Sequence, residues 1–146
     1  MDESITIINE AETVNSGVRH GHILNQNVEC GDFFNAFVES QKAKGITSQG
    51  VVNLREETLD ILMHCNPHDA ISNEETTHLV VGYVQSGKTM SFMGLTALAH
   101  DNGYRVVVYL TGTKINLCNQ TTGRLEKDLI KARAKNNGAY KIHKDP

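Results

Sequence analysis

Two glycines, a lysine and a threonine at fixed spacing carry the most readable chemistry of this chain. Gly82-Tyr83-Val84-Gln85-Ser86-Gly87-Lys88-Thr89 fits G-x-x-x-x-G-K-[ST], the pattern of a loop that cradles phosphates. Each position has a physical reason. Gly82 and Gly87 lack a Cβ, so the backbone can turn tightly and lie close to a ligand. The N–H groups of Gln85, Ser86, Gly87, Lys88 and Thr89 can then converge on a polyphosphate, backed by the positive end of the following helix. Lys88 is the point charge for the β- and γ-phosphate oxygens. The Thr89 hydroxyl is a ligand for Mg2+, which prefers oxygen and keeps several waters. The pattern predicts a nucleoside triphosphate, ATP in the first instance, with Mg2+.

The bland alternative is a glycine-rich turn whose lysine is merely solvated. At average glycine usage such a pattern arises by chance in roughly one chain of this length in a few hundred. The flanking sequence strengthens the phosphate reading. His78-Leu79-Val80-Val81 is a short β-branched run, as expected of a buried parallel strand. Met90 to His100 is rich in helix formers and apolar nearly all round. Strand, loop and helix thus follow in the order a phosphate loop needs.

Other reactive residues make weaker patterns. His20 and His22 share a loop-like stretch, without a cysteine or carboxylate at ligand spacing, and read as surface residues. His64, Cys65 and His68 cluster, but Pro67 breaks the helix that would align the two histidines, and no second ligand pair is spaced to complete a zinc site. They read as core and helix-end residues. Cys30, Cys65 and Cys118 are an odd set with no framework spacing, which points to reduced thiols in a cytoplasm.

The elements that must position the loop follow from periodicity and punctuation. Asp32 can cap a helix from Phe33 to Lys44, with Phe33, Phe34, Phe37, Val38 and Gln41 on one face and Gly45 ending it. Asn53 with Glu56 resembles a capping box opening a second helix, which Pro67 stops. Residues 69–76 are a polar connector. Beyond the Met90–His100 helix, Asp101-Asn102-Gly103 is a helix stop with a glycine available for the left-handed conformation. Arg105 to Leu110 then reads as a second buried strand, and Ile115 to Ala134 as a final helix. Strand, helix and strand predict a parallel, right-handed βαβ unit. Thr111, Gly112 and Thr113 follow at the strand's carboxyl end, where open α/β sheets bind ligands. The predicted fold class is α/β: a helical N-terminal region over 1–70, then an incomplete P-loop NTPase domain over 71–146 built on that βαβ core.

Composition and charge narrow the function classes. Hydrophobic residues are 39% and charged residues 21% of the 146-residue chain, which suits one soluble domain of ordinary size. No run approaches the roughly 18 apolar residues of a membrane span, and the acidic start MDESITIINEAE does not resemble a signal peptide. Net charge is −3 but unevenly spread: residues 1–75 hold 13 acids and 4 Lys/Arg, net −9, and residues 76–146 hold 4 acids and 10 Lys/Arg, net +6. A basic second half suits a surface that faces phosphates, of a nucleotide first and of nucleic acid second.

The segment from Gly82 to Leu125 resembles the N-terminal part of the Z1-domain family, helicase-like and endonuclease-associated ATPases. The residues that carry the likeness are GYVQSGKT, the apolar run ending in Thr111-Gly112-Thr113, and Asn116 to Gln120. More broadly the segment is similar to superfamily 2 helicases. The resemblance implies a partial RecA-like P-loop ATPase that acts on nucleic acid, DNA or RNA. By position it implies phosphate contacts from Thr111, Gly112 and Thr113, and a role for Gln120. Lys114 and Arg124 are the neighbouring cations available to the same backbone. The Pro-Thr-Arg motif of many helicases is absent here.

P-loop ATPases also need an acidic residue, usually closing an apolar strand, to hold Mg2+ and orient water. After Thr89 the acids are Asp101, Glu126, Asp128 and Asp145, and none closes such a run. Arg124 and Arg133 fall on the last predicted helix, with nothing in their spacing to bring either to the loop. The expectation is therefore an ATP-binding N-terminal piece of a larger ATPase, inactive alone and completed by a C-terminal lobe or partner protein. A small kinase, a GTPase-like switch, or a nucleotide-binding remnant with only an interaction role are the alternatives. Neither a kinase lid nor an Asn-Lys-x-Asp base-reading motif is visible, which favours the first reading.

Overall fold

The computed structural model describes residues 23–70, 77, 79–80, 88–110 and 115–133. Among them are four helices: α1 Asp32–Lys42, α2 Ser48–His64, α3 Lys88–Asp101 and α4 Ile115–Arg133. The first two helices form where sequence periodicity places apolar residues along one side. In α1 the buried residues are Phe34, Phe37, Val38 and Gln41, which recur at the spacing of one helical face. In α2 they are Leu54, Thr58 and Leu62, one turn apart. Thr58 is fully buried, and its hydroxyl donates to the Leu54 carbonyl at 2.8 Å. A polar group in the core thus keeps a partner.

Helix α3 is the centre of the packing. Met93, Ala97, Leu98 and Ala99 are buried on it, while α1, α2 and α4 all lie against it. Gly94 permits the closest approach. A Cβ there would sit 3.2 Å from Leu54 Cδ1 and 3.3 Å from both Phe37 Cε1 and Thr58 Cγ2. Helix α4 adds Leu125 and Leu129 to the same cluster, and Lys44 beyond α1 pairs with Asp128 on α4. Burying a side chain such as Phe34, Phe37 or Leu98 contributes about 1.5–3 kcal/mol each.

The ends of α3 and α1 are joined. Asn102 N donates to Leu98 O, Gly103 N to His100 O and Tyr104 N to Ala99 O, the bonding of a Schellman cap. Gly103 has φ +84°, and a Cβ there would strike the His68 ring at 2.8 Å. Glycine is required on both counts. The Asn102 amide then pairs reciprocally with the backbone of Glu29, donating to its carbonyl and accepting its N–H, both at 2.9 Å.

Three expectations need correction. The first is the α/β class. Among the described residues there is no strand and hence no parallel βαβ core. Leu79 and Val80, expected in a buried strand, are exposed. Val106, Val107, Val108 and Leu110 are 78%, 45%, 73% and 94% exposed, so the second expected strand is not buried either. The physical reason lies in α3. Its buried residues Met93, Ala97, Leu98 and Ala99 pack against three other helices, not against a sheet. Within the second run Tyr109 is anchored, its hydroxyl bonded to Thr96 Oγ1 and to the Phe92 carbonyl.

The second correction concerns α1. Gly31 is its N-cap residue, and no side chain of that residue can cap. Asp32 lies inside the first turn. The carboxylate that meets the first N–H groups belongs to Asp101, at the end of α3. The third concerns α2, which starts at Ser48 rather than Asn53. Thr47 Oγ1 accepts from Gly50 N at 3.0 Å and forms the cap, an arrangement worth about 1 kcal/mol. Asn53 and Glu56 fall inside the helix.

Candidate functional site

Helix α3 begins at Lys88, so the Gly-Lys-Thr end of the motif runs into a helix N-terminus. The first N–H groups of a helix have no partner within it and carry its positive partial charge. The 14-residue α3 is held along its length by the core, which fixes the direction in which those groups point. Gly82, Gln85, Ser86 and Gly87 lie outside the described residues, as do Thr111, Gly112, Thr113 and Lys114. For Lys88 only the backbone is described. Thr89 is described in full and half-buried.

Two other helices reach the first turn of α3. From α4, Arg124 Nη1 donates to Thr89 Oγ1 at 3.4 Å, at the long end for a hydrogen bond. From α2, Glu57 Oε2 accepts from Ser91 Oγ at 3.0 Å. Arg124 and Glu57 are both exposed, so both head groups remain in contact with solvent. Gln120 stands one turn before Arg124 on α4 and is exposed as well. Of the candidates read from the sequence, the structure therefore brings together Thr89 and Arg124.

This corrects the reading of Arg124 as a residue that does not reach the loop. Its guanidinium meets the hydroxyl that the motif assigns to Mg2+. Glu57 was not singled out at all. It precedes the motif and lies 34 positions from its Ser91 partner on a different helix, so no local spacing could have flagged it. Two of the acids considered after Thr89 are engaged elsewhere. Asp101 holds the first N–H groups of α1, and Asp128 pairs with Lys44.

Other reactive residues lie away from this turn. Burial pushes up the Cys65 thiol, whose Sγ donates to the Ile61 carbonyl at 3.4 Å. Burial also pushes up the Cys30 thiol, offset in part by Arg55. The three cysteines form no disulfide. His64 Nδ1 lies 2.7 Å from the Asp60 carbonyl, and His68 packs under Gly103. Among the described residues no three His, Cys, Asp or Glu side chains gather as a metal site. His20 and His22 lie outside those residues. Among the described residues no helix is long and apolar enough to cross a membrane.

Comparison with protein-family models, curated proteins and solved structures returned no match.

Proposed function

We propose that this chain binds a nucleoside triphosphate, ATP with Mg2+, through Gly82 to Thr89. The observation that carries the reading is the coincidence of the G-x-x-x-x-G-K-[ST] pattern with the start of a buried, well-supported helix at Lys88. Thr89 offers a hydroxyl on the first turn, a hard oxygen suited to Mg2+. Among the described residues its hydroxyl accepts from the Arg124 guanidinium, which does not compete as a metal ligand. In this reading the N–H groups of Gln85 to Thr89 bind phosphate oxygens and Lys88 adds the charge. Bound Mg2+ would neutralise the phosphates.

The wider class is a helicase-like, Z1-type ATPase acting on nucleic acid. Its support is the resemblance over Gly82 to Leu125 and the net +6 of residues 76–146. Nucleic-acid contacts would then come from Thr111, Gly112, Thr113, Lys114, Gln120 and Arg124.

Titration calorimetry with Mg–ATP tests the central reading. Wild type binds, and Lys88→Ala reduces the affinity at least about tenfold, as expected for loss of a charge-assisted contact. Equal affinities for the two proteins would overturn it.

A further inference from the structure

We draw no further inference here: the strongest candidate, the exposed apolar surface patch of Val106, Val108 and Leu110 on the run between α3 and α4, carries nothing because nothing in the structure shows what covers it.

Discussion

The Asp101 carboxylate, on the last residue of α3, accepts the backbone N–H of Phe34 in the first turn of α1 at 2.8 Å, and its second oxygen accepts that of Phe33 at 3.1 Å. One helix therefore caps another. The negative charge also lies at the positive end of α1, where it is favoured. Because α3 begins with Lys88 and Thr89 at its other end, the tie fixes the far end of the helix that presents the candidate site. Asp101→Ala should cost about 1–2 kcal/mol of stability, the range for a lost N-cap. Asp32→Ala, within the first turn but without the capping bonds, should cost less than about 0.5 kcal/mol. Urea unfolding of the two variants checks the order, and a larger loss for Asp32→Ala would contradict the assignment.

Gly94 gives a second prediction, in which two effects of opposite sign compete. Alanine is better than glycine inside a helix by about 1 kcal/mol. The new Cβ, however, would press on Leu54, Phe37 and Thr58 at 3.2–3.3 Å. All three are buried, so they have little room to give. Overpacking of this kind costs about 1–3 kcal/mol. The net expectation is that Gly94→Ala lowers Tm. A raised Tm would mean that α1 and α2 can move apart cheaply.

The helices were legible in the sequence and their partners were not. Phe34, Phe37 and Val38 repeat at helical spacing, and Asp101-Asn102-Gly103 marks an end, so both elements could be read locally. The cap on α1 could not, because Asp101 and Phe34 stand 67 positions apart. The sheet was misread for a related reason. Arg105 to Leu110 has the β-branched content of a buried strand, but content does not say whether a neighbouring strand exists to pair with it. At the candidate site the motif was legible from spacing alone. The approach of Arg124 to Thr89 depends on how α4 crosses α3, which spacing does not encode.

The exposed apolar run makes a third prediction. Val106, Val108 and Leu110 are each more than 70% exposed, and no strand pairs with this stretch among the described residues. Exposed β-branched segments of this kind template association between chains. Val106→Lys with Val108→Lys should change stability by less than about 0.5 kcal/mol, the usual range for surface sites. The same pair should reduce concentration-dependent light scattering. A large loss of stability in urea would show instead that the valines pack against something in solution.

The last prediction concerns pH. Burial raises the Tyr109 hydroxyl above its ordinary 10.0, although its bond to Thr96 works the other way, and burial raises the Cys65 thiol above its ordinary 9.0. Both groups are neutral when protonated. As pH rises, the unfolded chain gives up these protons first, while the folded chain still holds them. Over that interval the unfolded state binds fewer protons, so stability falls with rising pH. The contribution is complete below about pH 9 for Cys65 and about pH 10 for Tyr109, and it is lost as pH climbs through the higher folded values. Lysines also titrate in this range, so the useful quantity is the difference between wild type and a variant. Tyr109→Phe removes the titrating group along with its bonds to Thr96 and the Phe92 carbonyl. Near pH 8 it should be less stable than wild type by about 1–2 kcal/mol, typical of lost buried hydrogen bonds. Thermal melts from pH 8 to 11 should show that gap shrinking above pH 10. A gap that stays constant or widens would mean that Tyr109 is no harder to ionise in the folded protein than in the unfolded chain.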